Sequence, residues 1–150
     1  MNKTVTPGDL HGELRVLPSK SASHRAVMMA ALARGKTLLL ATSKPTVFAR
    51  QILAHYGLDR YFALIGGSNM DNTRSHKNEV IEYVLETCGL QDRRGECVMI
   101  GDRRFDIEGA AAAGVESIGV LWGYGSREEL EKASPGYLAA DIPELRRLLA

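Results

Sequence analysis

The stretch that decides the fold is Cys97–Asp106, which reads Cys-Val-Met-Ile-Gly-Asp-Arg-Arg-Phe-Asp. Its first four residues are apolar and suit a short buried strand, and a helix is predicted over Ile107–Ala113. Asp102 and Asp106 stand four residues apart in the turn between them, so their carboxylates can point at one spot. Oxygen ligands of this kind suit Mg²⁺. The alternative for either residue is a helix cap, because aspartate is common at helix starts.

Outward from this stretch, the chain alternates between short apolar strands and amphipathic helices. Strands are predicted over residues 13–17, 36–41, 61–65, 97–100 and 117–121. Helices are predicted over residues 21–34, 46–56, 77–88, 107–113, 128–133 and 143–149. This alternation predicts an α/β fold with a Rossmann-like parallel sheet of about five strands and helices on both faces.

Ligands of such sheets bind outside the carboxyl ends of the strands, which makes the residues after each strand the candidates. Thr42 and Ser43 follow the strand over 36–41, where a hydroxyl and free amides at a helix start suit an anion. Capping explains each of them equally well. Lys77 is predicted to start a helix, where its charge opposes the helix dipole unless a phosphate or carboxylate compensates it. The alternative is a solvated lysine.

Composition excludes several classes of function. The formal net charge is +1 and charged residues make up 25% of the chain, so neither nucleic acid nor an anionic membrane is an expected partner. The two cysteines, Cys88 and Cys97, lack a metal-binding spacing, which favours a reducing, cytoplasmic location. No apolar run is long enough to span a bilayer. Aromatic residues such as Phe48 and Tyr124 leave self-association as a homo-oligomer open.

Longer stretches carry a family resemblance from about residue 35 to the end. They are residues 41–49 (Ala-Thr-Ser-Lys-Pro-Thr-Val-Phe-Ala), 101–103 with Asp106, 117–120 and 123–126. These stretches resemble those of haloacid dehalogenase (HAD) superfamily phosphatases of the phosphoglycolate phosphatase or 5′-nucleotidase-like type. The resemblance implies a Mg²⁺-dependent phosphomonoester hydrolase that acts on a small phosphorylated molecule through an aspartyl-phosphate intermediate.

The resemblance also assigns roles to the candidate residues. Thr42 and the amide of Ser43 would hold the transferring phosphoryl group, and Lys77 would neutralise the phosphate and the nucleophile. Asp102 and Asp106 would hold Mg²⁺ directly or through water. Thr42, Lys77 and Asp102 are therefore the implied catalytic residues.

The nucleophile of that family has no counterpart among these 150 residues. The family begins with a strand ending in Asp-x-Asp-Gly and usually continues into a cap domain. Before Thr42 the chain has only Asp9 and Glu13 as acidic residues, and Asp-x-Asp occurs nowhere. Both acids precede or begin the strand predicted over 13–17, and would emerge at the wrong edge of the sheet. No cap is expected, because too few residues precede Thr42.

The first 34 residues resemble a different enzyme. Residues 5–8, 12–16 and 18–26 are similar to the start of 5-enolpyruvylshikimate-3-phosphate (EPSP) synthase. In that enzyme the matching lysine, serine and arginine bind phosphorylated substrates, which makes Lys20, Ser21 and Arg25 further candidate phosphate ligands. EPSP synthase activity itself is not expected, since that enzyme closes two large domains on its substrates.

We therefore interpret residues 1–150 as one HAD-like core in which a β-α segment over 1–34 replaces the family's own beginning. The two parts would join between Ala30 and Thr37, where both families have a helix followed by a strand. The strand over 13–17 would take the central place of the nucleophile strand. Lys20 would then lie near Asp102 and Asp106 and replace Mg²⁺ as their counter-charge, or else point to solvent.

Three functions follow from this interpretation. The first is a phosphatase that retains turnover, which is unfavourable because loss of a nucleophile costs many orders of magnitude in rate. The second, which we favour, is a catalytically impaired domain that still binds phosphate or a small phosphorylated molecule. The third is a folded chimera without a selected activity.

Overall fold

The computed structural model describes residue 28, residues 31–32, residues 35–71 and residues 73–150. Within them lie five strands: β1 (Leu38–Pro45), β2 (Phe62–Ser68), β3 (Val98–Gly101), β4 (Glu116–Val120) and β5 (Tyr137–Ala139). The five helices with complete bounds are α1 (Thr46–His55), α2 (Lys77–Thr87), α3 (Arg104–Ala112), α4 (Arg127–Ala133) and α5 (Ile142–Leu148). Met28, Ala31 and Leu32 are also helical and precede β1.

The predicted order of elements is confirmed over the described residues, with shifts of a few residues at the ends of elements. The largest shift is in β1, which continues to Pro45 where the sequence predicted an end at Ala41. β5 was not predicted, because its three residues are too few to show a hydrophobic period. The strand predicted over 13–17 and most of the helix predicted over 21–34 lie outside the described residues.

The strands are parallel and form two separate sheets in the described part of the chain. β1 pairs with β2, while β4 pairs with β3 on one side and β5 on the other. The sequence predicted one sheet of about five strands. The described strands agree in number and direction, but no ladder joins β1 to β3 among them.

Helices cover both faces of these strands and hold the two sheets side by side. On one face, Ala31 packs in a cluster with Ile118, Val120, Ala139, Leu145 and Leu149. On the other face, Ile81 and Leu85 of α2 pack against Ala110 and Ala113 of α3, together with Val115. The alternating apolar residues of the strands therefore serve two helical layers, as an α/β sheet requires.

Side-chain caps fix where the last helices begin. The Ser126 hydroxyl accepts a hydrogen bond from the Glu129 amide at 3.1 Å, and Asp141 accepts one from the Glu144 amide at 2.8 Å. Pro143 lies in the first turn of α5, where its missing amide hydrogen costs nothing. Both caps follow preferences that the sequence displays directly.

An ion pair ties α2 to the loop before β3. The Arg94 guanidinium donates to both carboxylate oxygens of Glu82, at 2.7 and 2.8 Å. The same guanidinium bonds to the carbonyl oxygen of Ala113 at the end of α3. The Glu82 carboxylate has a pKa lowered by its hydrogen bond from Arg94. This contact stabilises the packing of α2 against α3.

We expect Glu82→Gln to remove a small pH-dependent part of the stability. Because folding lowers the pKa of Glu82, its contribution is present above the ordinary glutamate value of about 4.3 and disappears as the pH falls through the folded value. The side chain is 35% exposed, so the effect at pH 7 is only about 0.5 kcal/mol. Urea unfolding at pH 7 and pH 3 measures it, with Glu108→Gln as the exposed control. If Glu82→Gln lowers the free energy of unfolding by the same amount at both pH values, the loss does not come from the charged Glu82 carboxylate.

None of the helices in the described ranges has the length and apolar character needed to cross a bilayer.

Candidate functional site

The carboxyl end of β3 delivers Asp106 into a buried position. Asp106 lies in the first turn of α3 and is only 9% exposed. Its Oδ2 accepts a hydrogen bond from the Arg103 amide at 3.2 Å, so the carboxylate caps the helix as the sequence alternative proposed. Gly101 makes room for it, because a Cβ on this glycine would lie 2.1 Å from Asp106 Cβ.

Lys77, the first residue of α2, contacts both α3 and β1. Its ammonium nitrogen lies 2.8 Å from Asp106 Oδ1, and each side chain is 12% exposed. The same nitrogen donates to the carbonyl oxygen of Ala41 in β1 at 3.1 Å. The sequence left open a carboxylate partner or a solvated lysine, and the structure supplies the carboxylate. The negative charge of Asp106 compensates the unfavourable interaction of the Lys77 charge with the positive end of the helix dipole.

Close packing of α2 against α3 sets the position of Lys77. A Cβ on Gly109 of α3 would lie 2.5 Å from Lys77 Cγ, so only glycine lets the lysine stem pass. The loop before α2 is held by Arg74, which donates to the Gly67 carbonyl oxygen at 2.8 Å and lies over the Tyr83 ring at 3.7 Å. Lys77 is therefore fixed from both sides.

A glycine-rich loop after β4 holds Asp102. The Tyr124 amide donates to Asp102 Oδ2 at 2.8 Å, and the Gly125 amide donates to the Asp102 carbonyl oxygen at 2.9 Å. A Cβ on Gly123 would lie 2.1 Å from Asp102 Cβ. The loop thus orients one carboxylate oxygen of Asp102 through a backbone amide, with the carboxylate partly exposed.

The threonine segment differs from its prediction in local geometry. Thr42 and Ser43 lie inside β1, in the stretch where its register with β2 is irregular. The amide of Lys44 donates a hydrogen bond to Thr42 Oγ1 at 3.2 Å. Ser68 at the end of β2 pins the segment by donating to the Ser43 carbonyl oxygen at 3.0 Å. Tertiary pairing with β2 extends the strand past its apolar run.

The structure thus brings Lys77 into direct contact with Asp106 and with Ala41, where the regular pairing of β1 with β2 ends. Asp102 lies four residues before Asp106 in the chain. The candidates Lys20, Ser21 and Arg25 lie outside the described residues. No role was predicted for Gly101, Gly109 or Gly123, although Gly101 directly precedes Asp102 in the sequence. Glu129 was also not predicted; it accepts hydrogen bonds from Arg103 Nε at 2.8 Å and from the Arg104 amide at 3.0 Å.

The described carboxylates offer little to a divalent cation. Among the residues described, no cluster of three or more histidine, cysteine, aspartate or glutamate side chains is arranged to hold a metal ion. Asp106 gives one oxygen to Lys77 and the other to the Arg103 amide. Asp102 is left as the main carboxylate donor. Since Mg²⁺ is often held by one or two carboxylates together with phosphate oxygens, these residues fit a weak site.

Both parts of the chain match known families. Residues 73–145 match the HAD-hydrolase-like family. Residues 5–42 match the EPSP synthase (3-phosphoshikimate 1-carboxyvinyltransferase) family, a short match that extends beyond the predicted junction into β1.

Relatives and solved structures agree on the larger part. A 5′-nucleotidase of Pseudomonas aeruginosa is 46% identical over 123 residues, which cover 82% of this chain and 55% of that protein. A phosphoglycolate phosphatase of Escherichia coli is 33% identical over 124 residues, covering 81% of this chain and 48% of that protein. The crystal structure of a putative phosphatase from Clostridium difficile is 46% identical with a TM-score of 0.74, over 87% of this chain and 60% of that one.

The chain spans about half the length of the two curated relatives, 55% and 48%. An alignment of 123 residues in a chain of 150 must include residues 28–42, so the similarity to the nucleotidase overlaps the EPSP synthase match. The fold, the two aspartates after β3 and these similarities lead to one conclusion. The chain carries a HAD-like hydrolase domain.

Proposed function

We propose that this chain is a phosphate-binding HAD-like domain with impaired hydrolysis, whose ligand is inorganic phosphate or a small phosphorylated molecule. The observation that carries the proposal is the position of Lys77, 2.8 Å from Asp106 and 3.1 Å from the carbonyl oxygen of Ala41. The ammonium contacts Ala41, the residue before Thr42, at the point where the regular pairing of β1 with β2 ends. Parallel α/β folds bind their ligands beyond the carboxyl ends of such strands.

The positively charged and hydrogen-bonding groups around Thr42 suit an anion. Lys77 would supply the positive charge, and Thr42 and the amide of Ser43 would supply hydrogen bonds to phosphate oxygens. The first turn of α1 follows directly and contains no acidic residue that would repel the anion. Lys20, Ser21 and Arg25 would add further donors if the N-terminal segment reaches this edge.

Impaired turnover follows from the side chains that the chain lacks. These 150 residues contain no Asp-x-Asp, so the carboxylate that forms the aspartyl-phosphate in the family has no counterpart. Serine 19 or 21 would need a neighbouring base to replace it, and His24 is the nearest candidate along the chain. In a serine hydrolase, loss of the nucleophile lowers kcat by about six orders of magnitude.

Magnesium would bind weakly and mainly with the phosphate. Asp102 would ligate it and Asp106 would contribute through water, because the Asp106 carboxylate already pairs with Lys77. When bound, the ion would neutralise charge on the phosphate oxygens.

Phosphate should stabilise the folded chain. At a phosphate concentration ten times the Kd, we expect about 1.4 kcal/mol of added stability, because only the folded state offers the site. Thermal unfolding in phosphate, compared with chloride at equal ionic strength, measures the shift. Thr42→Val keeps the shape of the side chain but removes the hydroxyl, and should reduce the shift. Equal melting temperatures in phosphate and chloride would reject phosphate binding and leave a folded chimera.

Hydrolysis is tested separately with p-nitrophenyl phosphate and Mg²⁺. The Pseudomonas aeruginosa nucleotidase, assayed under the same conditions, is the reference enzyme. We expect the turnover of this chain to be lower than that of the reference enzyme by a factor of at least about 10⁴. Activity within tenfold of the reference that disappears in Asp102→Asn would show a functional hydrolase and reject the impaired assignment.

We further propose that residues 1–34 form a replacement β-α segment of a single domain spanning residues 1–150. The EPSP synthase match over residues 5–42 supports this organisation. So does the position of Ala31, which is 2% exposed and packs in the core beside β4 and β5. The segment would therefore belong to the core and not to a second domain.

A further inference from the structure

Helix α1 is much less buried than helix α2. α2 buries four of its eleven residues, whereas Ala49 is the one buried residue among the ten of α1. α1 nevertheless contains the large apolar residues Phe48 and Ile52, each of which is 45% exposed. An amphipathic helix of a globular domain normally directs such residues into the core. α1 therefore has an apolar face that the described elements cover only in part.

Phe48, Ile52 and Tyr56 form a stripe along α1 and the residue that follows its last turn. They are four residues apart, so they lie on one side of the helix, next to the buried Ala49. Their exposed fractions are 45%, 45% and 51%. Single exposed apolar residues are common on protein surfaces, whereas a continuous apolar patch marks an interaction site. We call these three residues the α1 stripe.

The side of α1 that carries the stripe has no formal charge. Arg50 is the only residue of α1 that is fully charged when histidine is neutral. It stands two positions from both Phe48 and Ile52, and residues two apart on a helix do not share a face. The ring of His55 packs edge-on against the ring of Tyr56, with 5.0 Å between the ring centres. A charged partner would find no counter-charge on the stripe, so the surface fits an apolar partner.

The α1 stripe is symmetric about Ile52, as a contact between two identical copies requires. In a two-fold contact, residue i of one copy meets residue j of the other, and the reverse also holds. With two α1 helices antiparallel and Ile52 on the axis, Phe48 of each copy meets Tyr56 of the other, because both lie four residues from Ile52. Antiparallel packing also brings the positive end of each helix dipole beside the negative end of the other. The stripe therefore fits a second copy of itself.

We propose that the α1 stripe binds the α1 stripe of a second copy of this chain, in a two-fold dimer with Ile52 at its centre. The sequence left self-association open because of aromatic residues such as Phe48 and Tyr124. The structure separates the two, since Phe48 belongs to the stripe whereas the amide of Tyr124 bonds to Asp102 in the loop after β4. The dimer rests on the geometry of α1 and does not depend on phosphate binding.

The exposed area of the α1 stripe limits the strength of the dimer. Its three side chains leave about half of their surface to solvent, which amounts to roughly 250 Å² of apolar area per copy. A standard stable interface buries about 800 Å² per partner. We therefore expect a weak dimer, with a Kd on the order of 100 μM.

Sedimentation equilibrium of the full chain measures this dimer. We expect mostly monomer at about 5 μM and mostly dimer at about 1 mM, as a Kd near 100 μM requires. Ile52→Arg places two like charges at the axis and should raise the Kd at least about tenfold. Val47→Arg is the matched control, because Val47 is 52% exposed but lies on a different side of α1 from Ile52. It should leave the Kd unchanged.

Three outcomes of this measurement would overturn the proposal. The first is a chain that stays monomeric at every concentration; a larger fall in Tm for Ile52→Arg than for Val47→Arg would then show that another segment of the same chain covers the stripe. The second is a dimer that Ile52→Arg leaves intact, which would use a different surface. The third is equal weakening by both variants, which would indicate non-specific association.

Cross-linking tests the antiparallel arrangement in chains that carry Cys88→Ala and Cys97→Ala. With oxidised glutathione, Phe48→Cys in one copy should form a disulfide with Tyr56→Cys in another. Either variant alone should give little covalent dimer, because equivalent residues would lie about 12 Å apart along the helix axes, and a disulfide spans at most about 7 Å between Cα atoms. Cross-linking of Phe48→Cys alone as efficient as that of the mixture would show parallel helices and overturn the proposed contact.

Discussion

Lys77→Met should destabilise the folded chain by about 3 kcal/mol, the largest effect we expect from a single side chain of the site. Lys77 and Asp106 are each 12% exposed and lie 2.8 Å apart. Removing the ammonium leaves a carboxylate with little access to water and without its counter-charge. The melting temperature of a domain of this size should fall by about 6–12 °C.

Lys132→Met is the control for this prediction. Lys132 pairs with Glu128, but their side chains are 79% and 82% exposed, so water screens the pair. We expect the free energy of unfolding of this variant to lie within about 0.5 kcal/mol of that of the parent chain. Equal effects of the two substitutions would show that the Lys77 pair behaves as a surface pair.

A double variant tests whether the loss of stability comes from the Asp106 carboxylate that Lys77→Met leaves without a counter-charge. Lys77→Met with Asp106→Asn should be more stable than Lys77→Met alone, because the buried charge is gone. Mg²⁺ should also stabilise Lys77→Met more than the parent chain, since Asp106 becomes available to the ion. If Mg²⁺ stabilises both chains equally, the Lys77 ammonium does not compete with the metal.

Gly101→Ala should destabilise the chain by about 2–3 kcal/mol and disturb the site at the same time. The added Cβ would lie 2.1 Å from Asp106 Cβ and 2.6 Å from Asp106 Oδ2. Either β3 or the start of α3 must move, which pulls the carboxylate from Lys77. Chemical denaturation measures the stability, and the phosphate-dependent Tm shift measures the site.

Gly95→Ala is the matched control in the loop before β3. A Cβ on Gly95 has no atom within 4 Å, and its backbone does not require a positive φ. We expect this variant to be neutral or slightly stabilising, because alanine restricts the unfolded chain. A Gly101→Ala variant as stable as Gly95→Ala, with an unchanged phosphate shift, would mean that the close approach at Asp106 does not constrain the site.

Much of the fold was predictable because its signals are local. The apolar runs of β1 to β4 and the period of α2 are present in the sequence, and the elements lie where those patterns put them. The position of Asp106 at a helix start was also predictable, since capping is a contact within one turn. β5 was missed because its three residues become a strand only through pairing with β4.

The candidate site was predictable as a list of residues but not as a set of contacts. The predicted strand ends gave Thr42, Asp102 and Asp106 as candidates, since parallel strands align their carboxyl ends. A predicted helix start gave Lys77. Lys20, suggested as a counter-charge of the aspartates, lies outside the described residues, so its place stays a prediction. For Lys77 the sequence left open a phosphate, a carboxylate or solvent, and the described partner is Asp106. That choice depends on the packing of α2 against α3, which no local pattern reports.

The sequence by itself determined the α/β class, the order of the elements and the absence of Asp-x-Asp, because these depend on residue type and period. Only the tertiary structure decided that Lys77 pairs with Asp106, that Tyr124 and Gly123 enclose Asp102, and that the described strands divide between β1–β2 and β3–β4–β5. These features join residues far apart in the chain. They exist only where helix packing and strand pairing bring distant segments within hydrogen-bond distance.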